Sequence, residues 1–145
     1  MFRLVPNHNI VLGNNITIGE NITFEVVPGA LLKIGNNVNL TRNTTIAVNT
    51  KVEIGSNCLI AENVSIRDAN HKTDKNKLIL EQESDSEPIS IGDDVWIGAN
   101  SVVLKGAKIP NGVVIGANSL VLKKSVLEPY GIYAGNPLKL LRVRS

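Results

Sequence analysis

The chain is 145 residues long, 43% hydrophobic but only 3% aromatic, with a formal net charge of +2. That length allows one domain, and the shortage of aromatics demands an aliphatic core cut into thin layers. The small charge argues neither for nor against an anionic ligand, no basic run suggests nucleic acid, and the single cysteine, Cys58, excludes an internal disulfide. No apolar run approaches the roughly 18 residues of a membrane span, and no signal peptide is visible, so the expected compartment is the cytoplasm.

Residues 1–11 are irregular. Phe2, Leu4, Val5, Ile10 and Val11 are expected to cover the first layer, and His8 reads as a surface residue. A repeat begins at Leu12-Gly and Ile18-Gly, with Ile16, Ile22 and Phe24 inward. It slips at Val27-Pro-Gly-Ala and again at Asn49-Thr-Lys, two corners with extra residues. Between the slips it runs through Ile34-Gly-Asn-Asn-Val-Asn, Leu40 and Ile46, and after them through Ile54-Gly-Ser-Asn-Cys-Leu, Ile60 and Ile66. At Ile66 it stops, and residues 67–88 form a charged excursion whose only apolar handle is Leu78-Ile79-Leu80. A handle of that kind is expected to dock on a surface.

From Ile91 the rhythm is strict. Ile91, Ile97, Val103, Ile109, Ile115 and Val121 recur every six residues. The fifth position of each unit is small: Val95, Ser101, Ala107, Val113, Ser119, Ser125. A period of six is neither helical nor a plain alternation. It fits a short strand plus a tight turn, with positions one and five inward and Gly or Asn supplying turns at positive φ. Three units close one flat-sided coil of 18 residues, and stacked coils put equivalent strands about 4.8 Å apart. The fold predicted is all-β, a parallel β-helix of hexapeptide repeats. Cys58 falls on a fifth, inward position and reads as a buried core thiol. The C-terminal extension, residues 128–145, is expected to start a short helix at Pro137 that caps the last coil.

The [Ile/Leu/Val]-Gly-x-x-[small]-x repeat resembles the hexapeptide-repeat acyltransferases, whose β-helix is left-handed. The hand comes from that resemblance alone, since crossover sterics favour right-handed connections. The segment from Ile54 to His71, followed by a loop and a return at Ile91-Gly-Asp-Asp-Val-Trp96-Ile-Gly, is similar to sugar and maltose O-acetyltransferases. The ending Ala134-Gly-Asn-Pro-Leu-Lys139-Leu-Leu-Arg142 is similar to the same group. The resemblance covers about residues 54–142.

On chemistry alone, His71 is a candidate for moving a proton near neutral pH, with Asp68 close enough in sequence to orient its ring; the alternative is a solvated loop histidine. The resemblance makes His71 the general base. It also implies that Trp96, at an outward sixth position, lines the acceptor or pantetheine slot. Thr41, Asn43 and Asn70 are candidate acceptor contacts. Acetyl-CoA is the implied co-substrate, with a pantetheine arm along Gly98-Ala99 and Gly116-Ala117 and phosphates met by Lys123, Lys124, Lys139 and Arg142. A Thr-Lys pair common in relatives is Leu122-Lys123 here, which removes one hydroxyl. A backbone amide near Gly98 is the candidate oxyanion donor.

The function so implied is acetyl transfer to a hydroxyl of a sugar or surface-polysaccharide precursor, directly and without an acyl-enzyme. The resemblance further implies a homotrimer with sites between subunits. Acetylation of an amino-sugar nitrogen and a non-catalytic β-helix scaffold are the alternatives. Zinc chemistry of the β-helix carbonic anhydrases would require three histidines where this chain has two, so no metal is expected. Serine acetyltransferase is a third option, less expected because residues 1–145 show no pattern of its helical N-terminal domain.

Overall fold

A computed structural model describes the backbone of residues 3–4 and all of residues 9–145. The expectations for Phe2, Val5, His8 and the Leu4 side chain lie outside those residues. The chain winds into a three-sided column of parallel strands. The first face stacks β1 (Arg3–Leu4), β4 (Thr23–Val26), β7 (Thr45–Val48), β10 (Ser65–Arg67), β15 (Val102–Leu104) and β18 (Leu120–Val121). The second stacks β2 (Ile10–Leu12), β5 (Leu31–Ile34), β8 (Lys51–Ile54), β13 (Ile89–Ile91) and β16 (Lys108–Ile109). The third stacks β3 (Thr17–Ile18), β6 (Asn39–Leu40), β9 (Leu59–Ile60), β14 (Trp96–Ile97), β17 (Val114–Ile115), β19 (Gly131–Ala134) and β20 (Lys139–Val143).

The hexapeptide arithmetic explains the packing. First positions fall in register up each face: Phe24, Ile46, Ile66, Val103 and Val121 form one column, each 0% exposed. Leu40, Ile60, Ile97, Ile115 and Tyr133 form another. Each buried aliphatic side chain contributes roughly 1.5–3 kcal/mol, which no single coil could accumulate alone. Fifth positions fill the corners inside, Cys58 among them, and the buried hydroxyls there bond to backbone carbonyls within and between coils. Ser101 Oγ donates to Gly116 O at 3.0 Å, and Ser119 Oγ to the same carbonyl at 2.6 Å.

Corners need residues that tolerate the left-handed region, and asparagine fills most of them. Asn15, Asn37, Asn57 and Asp94 stand in one corner column with φ between 55 and 60°. Asn21, Asn43, Asn63, Asn100 and Asn118 stand in a second, at 53–61°. Their side-chain amides join into ladders, as from Asn15 to Asn37 (2.9 Å) and Asn37 to Asn57 (3.0 Å). The Asn-x-Ser/Thr triplets of the sequence are therefore corner chemistry.

Coil length varies. Cross-coil hydrogen bonds span 22, 20, 37 and 18 residues in succession. The first two values absorb the slips at 27–30 and 49–51. The third contains the excursion, which leaves after β10, forms an antiparallel hairpin of β11 (Ala69–His71) and β12 (Ser84–Ser86), and re-enters at β13.

Two expectations fail. The C-terminal segment is strand β20, paired antiparallel to β19 from Gly131↔Val143 to Ala134↔Lys139, and not a helix. Residues 137–142 are too short for their Leu138/Leu141 spacing to separate the two periodicities, and the open edge of β19 offers a hydrogen-bond ladder that a helix would leave unpaired. The apolar handle does not dock on this chain: Leu78, Ile79 and Leu80 are 68%, 57% and 92% exposed, around a single 3₁₀ turn at Ile79–Glu81.

Candidate active site

His71 ends β11 and is exposed, opposite Ser84 on β12. The hairpin overhangs the first face and makes a cleft with it, about 360 Å³ in volume, lined by Glu25, Ala47, Asn49, Arg67, Asn70 and Ser84 beside His71. Glu25, Ala47 and Arg67 reach it because they are outward positions in register on β4, β7 and β10. Glu25 and Arg67 thus flank the small Ala47, and Arg67 Nε donates to Ser65 Oγ at 2.9 Å. Neither Glu25 nor Arg67 stood out in the sequence. Only the register, set by a 22-residue and a 20-residue coil, brings them under the hairpin.

Asp68 does not orient His71. Its side chain is 0% exposed, and its carboxylate accepts hydrogen bonds from the amides of Asn49 (2.7 Å), Thr50 (2.8 Å) and Lys51 (2.8 Å). It staples the tight corner between β7 and β8, where three consecutive N–H groups would otherwise lack partners. Alternation along the strand sends Asp68 inward and its neighbours outward, so closeness in sequence to His71 gave the wrong partner.

Trp96 sits on the third face, not beside His71. Leu59, Trp96, Val114, Ile132 and Arg142 make one outward row across five strands. A cleft of about 470 Å³ opens over that row, with Asp94, Arg144 and Ser145 at its edges. Arg144 closes one side. Its guanidinium donates to Asp94 Oδ2 (2.8 Å) and Gly112 O (2.9 Å) and lies 5.8 Å from the centroid of the Tyr130 ring. Thr41 lines a third cleft on the early coils with Glu20, Arg42 and Glu62. Asn43 belongs to an asparagine corner, accepting from Asn21 at 3.2 Å.

The small residues at the corner between the third and first faces have two jobs. A side chain on Gly98 would come within 2.6 Å of Ala117 N, and one on Gly116 within 2.9 Å of Ala134 Cβ, so both glycines are required by coil stacking. Their amides are taken: Gly98 N donates to Ile115 O and Gly116 N to Tyr133 O, each at 2.7 Å. The expected oxyanion donor at Gly98 is therefore occupied. Among the described residues, the amides of Ala99 and Ala117 donate no backbone hydrogen bond; Ala117 is exposed and Ala99 half-buried. Ala134 pairs with Lys139, which extends this corner toward a cation.

The four predicted cations do not form one cluster. Lys139 continues the Ala99–Ala117 corner, and Arg142 faces the Trp96 row. Lys123 lies at a different corner, where its ammonium meets Glu87 Oε2 at 2.7 Å, and Glu87 holds it above the usual lysine range. Lys124 beside it is exposed. Cys58 is buried, with Sγ donating to Gly92 O at 3.2 Å, and burial pushes its thiol up, away from a nucleophilic thiolate.

A corner of small residues with unpaired amides, next to exposed cations, and a separate exposed imidazole in a polar cleft are the parts of an acyl-transfer surface. Residues 88–123 match the family profile described as bacterial transferase hexapeptide (six repeats). The chain is 32% identical over 142 residues to the putative lipopolysaccharide biosynthesis O-acetyl transferase WbbJ of Escherichia coli, covering 92% of this chain and 71% of that one. The chain belongs to the hexapeptide-repeat acyltransferase family. Another family member, the galactoside O-acetyltransferase of Escherichia coli, is 36% identical over 132 residues, 87% of this chain and 63% of that one. A solved galactoside acetyltransferase in complex with coenzyme A superposes with a TM-score of 0.79 at 31% identity, over 92% of this chain and 64% of that one. A coil of the opposite hand would not superpose so, and the fold is the left-handed β-helix of the hexapeptide-repeat family. Several curated relatives are longer: the chain spans between 44% and 63% of the length of three of them.

Proposed function

We propose that this chain carries the catalytic β-helix of an acetyl-CoA-dependent O-acetyltransferase that acts on a hydroxyl of a sugar or a surface-polysaccharide precursor. The observation that carries this is the exposed His71 over a polar cleft, in a chain matched nearly end to end by a galactoside acetyltransferase that binds coenzyme A.

His71 takes the proton of the acceptor hydroxyl as that oxygen attacks the acetyl carbonyl, and returns it to the departing thiolate. The co-substrate supplies an activated acetyl group as a thioester. The unpaired amides of Ala99 and Ala117 fit a pantetheine arm lying along their corner, and they replace Gly98 as candidate donors to the developing oxyanion. Lys139 and Arg142, with Lys124, supply cations for the phosphates; Lys123 leaves that set because Glu87 holds it. Asn70 contacts the acceptor from beside His71. Transfer is direct, since the only thiol is buried.

His71 and Trp96 lie on different faces of one chain, so a slot between them requires a second subunit. This favours a homotrimer in which the hairpin of one protomer meets the third face of its neighbour, bringing Trp96, Thr41 and Asn43 to the acceptor. Acetyl-CoA as co-substrate favours a cytoplasmic reaction.

Purified protein with acetyl-CoA should release CoA in the presence of one member of a panel of free and nucleotide-linked sugars. His71→Ala should lower that rate by about 10²–10⁴-fold. Turnover at the parent rate in His71→Ala would refute the assignment. A monomer by light scattering would refute the shared site.

A further inference from the structure

Among the described residues, the hairpin that carries His71 finds no apolar anchor for its tip. Its tip residues Leu78, Ile79 and Leu80 are exposed, and its two strands pair over three residues only. Such a ribbon is marginal by itself. What fastens it to the column is ionic. Lys105, on the corner after β15, has 20% of its side chain exposed and sits between two carboxylates of the returning strand. Its ammonium meets Asp85 Oδ2 and lies 4.0 Å from Glu87 Oε1. One coil further on, Lys123 holds the other oxygen of Glu87 at 2.7 Å. Backbone bonds frame the same junction: Glu87 N donates to Asp68 O at 2.9 Å, and Gly106 N to Glu87 O at 3.1 Å.

The register makes this junction matter for His71. Asp85 stands opposite Asn70, and the adjacent Ser84 stands opposite His71. Lys105 therefore grips, from the rigid column, the strand that sets the height and tilt of the imidazole. An isolated exposed ion pair contributes little. Here two lysines and two carboxylates form a network, and the central cation is four-fifths shielded from water. Lys72 and Glu83, 3.6 Å apart, tie the two strands of the hairpin together but make no link to the column.

We propose that Lys105 is a positioning residue for His71, acting through Asp85 to fix the hairpin over the first face. This rests on His71 being the general base. The reactants must be held within a fraction of an ångström, and a misplacement of about 1 Å is enough to lose about a hundredfold in rate.

The test compares Lys105→Met, Lys105→Arg and Asp85→Asn with the parent protein in two readouts. One is kcat and KM for acetyl-CoA. The other is the imidazole signal of His71 in a proton–carbon NMR spectrum, identified as the one lost in His71→Ala; the chain has only 2 histidines. Lys105→Met should lower kcat by about ten- to a hundredfold while KM for acetyl-CoA stays within about twofold. Its His71 signal should move toward that of a free histidine, and Lys105→Arg should restore both. Asp85→Asn, on the solvent side of the pair, should reproduce the loss if Lys105→Met fails to fold. Turnover within about twofold of the parent with an unmoved His71 signal overturns the proposal. If the parent acetylates no acceptor, the general-base assignment falls first, and an unmoved His71 signal in the variants still overturns the positioning role.

Discussion

Replacing Asp68 separates a structural staple from a catalytic partner. In the folded chain its carboxylate accepts three backbone amides, at 2.7, 2.8 and 2.8 Å, and is closed to solvent. Hydrogen bonds to a charged group contribute about 1.5–3 kcal/mol each. Asn49 is exposed and Thr50 and Lys51 are half-buried, so water would recover part of the loss at those donors. Taking the low end for each of the three bonds, Asp68→Ala should cost about 4.5 kcal/mol. At about 4 °C per kcal/mol for a domain near this size, Tm should fall by about 18 °C. Asp68→Asn keeps one acceptor oxygen and turns the other into a donor facing an amide, so it should fall between the parent and alanine. The assay is calorimetric melting alongside CoA release at a temperature well below both midpoints. There, Asp68→Ala should retain most of its turnover whereas His71→Ala does not. A variant that melts within about 2 °C of the parent yet loses activity to the level of His71→Ala would refute this account and return Asp68 to the side of the imidazole.

Two further outcomes follow from titratable groups. Cys58→Ala should leave acetyl transfer intact and cost about 1 kcal/mol in stability, because it removes only a small buried group; loss of turnover with stability intact would point to an acyl-enzyme. Lys105 holds the Asp85 carboxyl below its usual range, so that contribution is present above the unfolded pKa and is lost as pH falls through the lowered folded value. Glu87 holds Lys123 above its usual range, so that contribution is present below the unfolded pKa and is lost as pH rises through the raised folded value. The hairpin anchor should therefore hold through neutral pH and loosen in strong acid and strong base, read as hydrogen exchange at Asn70 and His71 while the column amides stay protected.

The six-residue rhythm determined the column. An aliphatic first position and a small fifth position have one place to go when strands stack, and asparagine at the turns tolerates the backbone they require. Both slips and the excursion were legible as interruptions of that rhythm, and Cys58 was legible as core from its phase alone. The sequence could not say which outward residues become neighbours. Outward chemistry assembles sideways between coils, and its register depends on coil lengths that vary from 18 to 37 residues. Glu25 and Arg67 line one cleft with His71 for that reason, on either side of Ala47, and Trp96 is a face away from it. Asp68 looked close to His71 because the two are three positions apart, but a strand sends successive side chains to opposite sides, and this one turned into the corner. The end of the chain followed an edge rather than a pattern: the unpaired backbone of β19 made a strand of residues whose spacing also fits a helix. Local periodicity sets which way each residue points, and only the closed stack decides what it finds there.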